Sequence, residues 1–479
     1  MGLVTPVTPL PLAKLGRVHF TGIGGAGMSG IARIMLARGI AVSGSDQAGS
    51  DQLAALAALG AEVHTGHDAA YVGSADTVVF STAIRDDNPE LVEARRRGLR
   101  VLHRAAALGS VMLDRRGIAV AGTHGKTTTT SMLTTVLRYC GDDPGYVIGG
   151  ILAETGLGAE DGTGEYFVVE ADESDSSFLM LSPEAAIVTS VEADHLDNYA
   201  GLAEIEAAFA AFTRRIRPGG ILIACADDPG AAELAASARS LPVRVRTYGQ
   251  APAADYRVSD ITPDGMAVRL QVRGGPEGAA EPGAVTALRV AVPGRHNALN
   301  ATAAFAAAVE LGLPAAQVAA GLAAYRGARR RMDPRGEVDG VLVLDSYAHH
   351  PTEIAADLRA ARDVVAGGRV IAVFQPHLFS RTRIFAAEFG AALGLADEVI
   401  VLDVYAARED PDPEVTGQLV ADRVPEGRAR FIAARAEVPA AAVAATKPGD
   451  LVLTMGAGDV TALGPRILDE LRARAEAPR

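Results

Sequence analysis

The chain has 479 residues, 49% apolar and 5% aromatic with no Trp, and its 58 acidic against 45 basic residues leave a net charge of −13. At roughly 150 residues per domain this is enough for about three domains, with cores built of Ala, Val and Leu. The acidic balance excludes broad nucleic-acid or anionic-membrane binding, no run of about 18 apolar residues offers a membrane span, and the first sixteen residues lack the basic and apolar regions of a secretion signal.

The first unit, residues 1–114, opens with a predicted strand at 17–21. A turn follows, Gly22-Ile-Gly24-Gly25-Ala-Gly27, and then a helical stretch through Arg38. Further strands are predicted at 41–46 and 77–80. The glycine spacing after a strand and before a helix fits a diphosphate resting on the helix N-terminus. Asp46 closes the second strand, 19 residues beyond Gly27. A dinucleotide such as NAD and a UDP-sugar carry the same diphosphate, and the spacing does not separate them. Ser81 and Thr82, just past the third strand, offer hydroxyl and backbone contacts to a base or sugar.

The second unit, 115–325, begins with a buried strand at 117–122. It runs into Ala121-Gly122-Thr123-His124-Gly125-Lys126-Thr127-Thr128, which opens a helix stopped by Gly141. Free amides and the helix dipole there converge on a polyphosphate. Lys126 would neutralise the β- and γ-phosphates and the Thr127 hydroxyl would ligate Mg²⁺. The strict pattern needs a glycine where this chain has Val120, so the loop is a variant. Only three of the basic residues are lysines (Lys14, Lys126 and Lys447), so one kept at this point stands out. The next strand, 166–170, ends in Glu170-Ala-Asp-Glu173-Ser-Asp175, and either Glu170 or Glu173 could hold the metal. A strand at 186–189 leads to Glu192-Ala-Asp-His195-Leu-Asp197, where His195 is a surface histidine or a second metal ligand. Another strand is predicted at 221–224.

Between 250 and 292, short alternating runs broken by Pro-Asp-Gly and Gly-Gly-Pro predict an antiparallel appendage, with a mobile loop at 274–283. His296-Asn297-Ala-Leu-Asn300 starts an Ala-rich helix. Asn297 either caps it or reads a base edge, and Asn300 is the better ligand candidate. The basic joint Arg326-Gly-Ala-Arg-Arg330-Arg331 precedes a third unit, 326–479, with strands at 341–345, 370–374, 398–402 and 451–454. Its strand ends carry Asp345-Ser-Tyr347-Ala-His349-His350 and Gln375-Pro-His377-Leu378-Phe-Ser-Arg381. The two cysteines, Cys140 and Cys225, have no metal or redox spacing, and no Ser or Cys nucleophile with a paired base is evident.

Together these motifs, in this order, closely resemble the Mur ligase family over nearly the whole chain. The resemblance implies a three-domain α/β protein: a Rossmann-like UDP-binding domain, a central P-loop ATPase domain with a small antiparallel appendage, and a C-terminal Rossmann-like domain. It implies UDP-sugar binding by Gly22, Gly24, Gly25, Gly27, Met28, Asp46, Ser81 and Thr82. ATP would be bound by 122–128, Asn297, Asn300, Arg330 and Asp345, and Mg²⁺ by Thr127, Glu170, Glu173 and His195. Lys126, His195, His349 and Arg381 would serve the chemistry, and Tyr347, His377 and Arg381 the amino acid. The expected reaction phosphorylates the lactyl carboxylate of UDP-N-acetylmuramate and joins it to L-alanine, in peptidoglycan precursor synthesis. The alternative within the family attaches a whole tripeptide in recycling. A cytoplasmic monomer or homodimer with only small-molecule partners is expected. Two features mark this chain. No lysine lies between 127 and 446, so a carbamoylated lysine bridging a second metal, as related ligases resemble one another in having, is impossible. Leu378 also stands where some relatives carry Arg.

Overall fold

A computed structural model describes residues 3–196, 198–276, 283–407 and 409–476. Asp197 and most of the predicted mobile loop, 277–282, lie outside the described residues. Among the described residues there are three sheets and two compact units, drawn from 1–259, 271–288 and 299–325, and from 260–270, 289–298 and 326–479. Among the described residues no helix is long and apolar enough to cross a membrane.

The first sheet consists of β1 (Val18–Thr21), β2 (Val42–Asp46), β3 (Glu62–Thr65), β4 (Thr77–Phe80) and β5 (Arg100–His103), in the order β3-β2-β1-β4-β5. All neighbours are parallel. The chain steps outward from β1 to β3, then returns to the other side of β1, so the switch point falls where Gly22–Gly27 leave β1.

The second sheet follows as β6 (Arg116–Ala121), β7 (Gly145–Val147), β8 (Ala159–Glu160), β9 (Tyr166–Glu170), β10 (Ala185–Val188), β11 (Ile221–Cys225), β12 (Arg244–Gly249), β13 (Tyr256–Asp264), β14 (Ala267–Arg273) and β15 (Val285–Val290). Its order is β15-β14-β13-β12-β11-β10-β6-β9-β7-β8. Strands β10 and β11 are buried along their whole length and β6 along all but its first residue, which is why they read as unbroken apolar runs instead of alternating ones. The predicted appendage extends this sheet at its edge. Gly265 and Met266 alone join β13 to β14, a connection only an antiparallel pair allows.

The third sheet is β16 (Asp333–Val338), β17 (Val341–Ser346), β18 (Val370–Phe374), β19 (Glu398–Val401), β20 (Ala429–Phe431) and β21 (Leu451–Met455), ordered β16-β17-β21-β18-β19-β20. Alternate residues of β18 serve two cores. Val370, Ala372 and Phe374 meet Ile354, Leu358 and Phe389 on one face, while Ile371 and Val373 meet Val438, Ile467 and Leu471 on the other. Helices therefore cover both faces.

Two buried polar groups fix the first sheet and its junction with the second. Glu90, fully buried in the helix Pro89–Arg96, accepts from His19 Nε2 at 3.1 Å, Ser45 Oγ at 2.8 Å and His67 Nδ1 at 3.1 Å. Burial alone would raise its carboxyl; hydrogen bonds from His19, Ser45 and Thr21 override this and hold it at about 2. One charge thus ties β1, β2 and the loop after β3 to one helix. Glu90→Ala strands these donors and is expected to cost ~3–5 kcal/mol in urea unfolding; a loss below ~1 kcal/mol would show that the cluster adapts.

At the junction, Arg38 pairs with Asp161 at 2.7 Å, and His103, 4% exposed, lies 3.7 Å from Asp175. Burial drives the His103 imidazole down to about 4, helped by the Arg104 charge and opposed by Asp175 and Asp172. Its folded value lies below the ordinary 6.5, so the unfolded chain binds the extra proton between these values. This contribution is complete above pH 6.5 and is lost as pH falls toward 4, on the order of 3 kcal/mol. Unfolding measured at pH 7, 5.5 and 4.5 should show a shallower loss in His103→Asn, which keeps an N-cap acceptor. Equal slopes in both proteins would acquit His103.

Candidate active site

The glycine turn after β1 is held from beneath by β2. Gly22 N and Ile23 N donate to Ser45 O at 2.8 and 2.9 Å, and Gly24 N donates to Asp46 Oδ2 at 2.9 Å. A side chain on Gly24 would collide with that same carboxylate. Gly25 caps the helix Ala26–Ala37, and its first-turn amides stand above the switch point. Ser81 and Thr82, half-buried, follow β4 beside it. Asp46 is used to hold the turn. Met28, expected among the UDP-sugar contacts, is buried in its helix, where its apolar side chain contributes to the core.

In the second sheet the switch point lies at β6, between β9 and β10. The loop 122–128 leaves there and opens the helix Lys126–Tyr139, with Gly125 left-handed at φ 79° as its cap. A Cβ on Gly125 would stand 2.5 Å from Asn300 Oδ1, and one on Gly122 would strike Thr189. Both positions exclude side chains by contact as well as by conformation. Thr123 Oγ1 accepts from Glu192 N at 2.8 Å, and His124 N donates to Ser190 Oγ at 3.1 Å. Thr127 and Thr128 are buried.

Lys126 Nζ donates to Gly122 O at 2.6 Å, Thr123 O at 3.2 Å and Glu173 Oε1 at 2.7 Å. Burial disfavours its charge, but Glu173 and Glu170 outweigh that and raise its pKa. Glu170, the last residue of β9, accepts from the Thr127 hydroxyl at 3.0 and 3.1 Å and from Gly149 N at 2.7 Å. Glu173 is 2% exposed, and its Oε2 has no hydrogen-bond partner among the described residues. His195, with φ 53°, brings Nε2 to 3.7 Å from Glu173 Oε1 and 3.6 Å from Asp194 Oδ2. Burial opposes its protonation, and Glu173 with Asp194 more than offset this, so its pKa is raised. The structure therefore gathers Lys126, Thr127, Glu170, Glu173 and His195 at one place and adds Asn300 against the loop. A carboxyl group with a buried, unsatisfied oxygen beside a second one and a hydroxyl is a hard oxygen donor set of the kind Mg²⁺ takes.

The third sheet brings together another set. Arg330, left-handed at φ 62°, donates to Gly456 O at 2.5 Å and Gly458 O at 2.9 Å after β21, and its guanidinium lies 4.8 Å over the Tyr347 ring. Asp345, expected at the nucleotide, is fully buried at the end of β17. Thr454 and Thr461 donate to its two oxygens at 2.7 and 2.6 Å, with Arg330 Nε at 3.7 Å. Its carboxylate is used within the protein and acts on Arg330. Beyond it Tyr347, His349, His377 and Tyr405 form a row of ring contacts at 5.3, 6.2 and 5.8 Å. His350 caps the helix Pro351–Val365. Arg381 lies buried in the helix Phe379–Leu393, just after Leu378, which takes φ 70°. In the same unit Asn297, inside the first turn of the helix Arg295–Glu310, donates to the carbonyl of Pro293 at 2.7 Å, which is a different contact from the accepting helix cap weighed for it. His296 stands 3.5 Å from Asp357. Burial pushes that imidazole down to about 4 and that carboxyl up to about 7.

Sequence reasoning missed Arg104, whose Nη2 lies 2.6 Å from Asp172 Oδ2 inside the acidic loop, and the pair His124–Glu192 at 3.5 Å. It named Glu192 only as part of a ligand-rich segment, and nothing local in the sequence marks Arg104.

Family profiles match the chain in three consecutive pieces. "Mur ligase family, catalytic domain" covers residues 17–116, "Mur ligase middle domain" 120–308, and "Mur ligase, glutamate ligase domain" 330–458. A Thermobifida fusca protein named UDP-N-acetylmuramate–L-alanine ligase is 56% identical, covering 98% of this chain and all of the relative. One of the same name from Kineococcus radiotolerans is also 56% identical, covering 97% and 98%. Among solved structures, a UDP-N-acetylmuramate–alanine ligase from Thermotoga maritima has a TM-score of 0.78 at 30% identity, covering 96% of this chain and 99% of that one. A murein peptide ligase from Psychrobacter arcticus has a TM-score of 0.70 at 26% identity, covering 95% and 98%. With near-complete relatives at this identity and all three domains of the family matched in order, the chain belongs to the Mur ligase family.

Proposed function

We propose that the chain is a cytoplasmic ATP-dependent ligase, a monomer or homodimer, that joins L-alanine to the lactyl carboxylate of UDP-N-acetylmuramate with release of ADP and phosphate. The observation that carries this is the loop at 122–128, where Lys126 pairs with Glu173 while Thr127 pairs with Glu170. The names of the 56% identical relatives support the choice of substrates.

The mechanism follows from what these groups do. Loop amides and the helix N-terminus hold the triphosphate. Lys126 exchanges its carbonyl partners for β- and γ-phosphate oxygens and keeps Glu173 as its counter-charge. Mg²⁺, when bound, would draw the charge of the β- and γ-phosphates, and Thr127, Glu170 and Glu173 are the residues that would hold it. His195 faces the same carboxylate and would fix its orientation or share the ion. A carboxylate oxygen of the muramyl sugar attacks the γ-phosphorus, and the bond to ADP breaks. The neutral amine of alanine then attacks the acyl carbon, phosphate leaves with the bonding pair, and loss of one proton completes the amide. Phosphorylation makes the acid a good acyl donor, so the route needs no acyl-enzyme. We assign Tyr347, His349, His377 and Arg381 of the third sheet to the amino acid and the reacting phosphate.

ADP release should require both UDP-N-acetylmuramate and L-alanine. Turnover with tripeptide in place of alanine would move the chain to the recycling branch. Lys126→Ala should lower kcat by at least ~10²-fold, as expected for loss of one strong transition-state donor; near-normal kcat would remove the lysine from phosphoryl transfer.

A further inference from the structure

Arg104 is the first residue of the helix Arg104–Met112, which leaves the C-terminal end of β5 and packs on the helix Ala26–Ala37. Its side chain is 23% exposed and faces two places at once. Nη2 donates to Asp172 Oδ2 at 2.6 Å, and Nη1 lies 3.3 Å from where a Cβ on Gly27 would stand. Gly27 lies in the first turn of the helix that rises from the glycine turn, and Asp172 lies between Glu170 and Glu173. The next residue back, His103, lies against Asp175 of the same loop. The cation is therefore aimed at the anion site of the first sheet while anchored on the acidic loop of the second.

We propose that Arg104 binds the diphosphate of the UDP-sugar through Nη1 while Nη2 stays on Asp172, so that sugar-nucleotide binding and Mg-ATP binding reinforce each other. The inference rests on reading the Gly22–Gly27 turn as the UDP-sugar site. A guanidinium suits the task because its planar fork presents separate donors to two anions, whereas an ammonium is a point charge. Phosphate oxygens at the turn fix the guanidinium, which fixes Asp172, and with it the segment carrying Glu170 and Glu173. Such coupling is reciprocal: each ligand raises the affinity of the other by the same factor.

The test is isothermal titration of UDP-N-acetylmuramate into the full-length protein, with and without Mg²⁺ and a non-hydrolysable ATP analogue. Wild type should bind the sugar nucleotide alone and about fivefold or more tightly with the analogue present. Arg104→Met should weaken binding by ~10-fold or more, remove the enhancement, and raise the KM for the UDP-sugar more than that for ATP. Arg104→Lys should regain part of the affinity without the enhancement, and it serves if the methionine variant does not fold. Asp172→Asn should keep the affinity and lose the enhancement. Wild-type affinity in both Arg104 variants overturns the contact, and enhancement persisting in Asp172→Asn overturns the link. Failure of wild type to bind the UDP-sugar at all overturns the reading of the turn itself, a different result from failure of Arg104 alone.

Discussion

The site depends on how four carboxylates within six residues are kept apart. Glu170, Asp172, Glu173 and Asp175 would repel one another in a bare loop. Here each faces its own partner: the Thr127 hydroxyl, Arg104, Lys126 and His103 respectively. Asp172, despite burial that works against its charge, is held well below the ordinary carboxylate range by Arg104 and Lys126. Partners on opposite sides pull successive residues in different directions, so the loop is pinned to the helix Lys126–Tyr139 and to the first sheet together. A buried carboxylate next to a buried ammonium is tolerable only as a pair, and this makes the conformation an all-or-none property of the segment.

The loop at 122–128 folds without the glycine that a standard phosphate-binding pattern places at Val120. That residue is the fifth of six in β6 and is fully buried, paired across to Glu170 of β9. The loop gets its freedom later, at Gly122 and Gly125, so the strand runs longer and the turn is tighter. Thr130, Ser131 and Thr134 in the helix each donate to the carbonyl four residues earlier, which lets a hydroxyl-rich helix be buried.

Parallel strands of all three sheets were legible in the sequence because burial on two faces writes them as continuous apolar runs; 77–80, 166–170 and 370–374 match to the residue. The strand–turn–helix at 116–139 was legible because strand, glycines, lysine and helix are contiguous. Which of Glu170 and Glu173 meets Thr127 was not, since both are within reach of a strand end. Pairing of β9 with β6 brings Glu170 to the hydroxyl, while the turn after it carries Glu173 to the lysine. Arg104 and Asp172 are 68 residues apart, and Glu90 is 71 from His19. Such contacts exist only once separate sheets and helices have packed, and no local pattern announces them. Met28 and Asp345 show the converse: the motif is plain in the sequence and the burial of the side chain is not. Each sits in a ligand-bearing motif, yet its side chain is taken up by the interior.

The close approach of Asn300 to Gly125 has an evolutionary corollary. The amide lies where any side chain at position 125 would have to go, so the two sites do not drift separately through sequence space. A homologue that acquires a bulkier residue in the loop must first shorten or turn away its asparagine, and the intermediate would lose both the cap's left-handed ease and the neighbour that braces it. Residues that sit 175 positions apart in the chain are in that sense under one steric constraint.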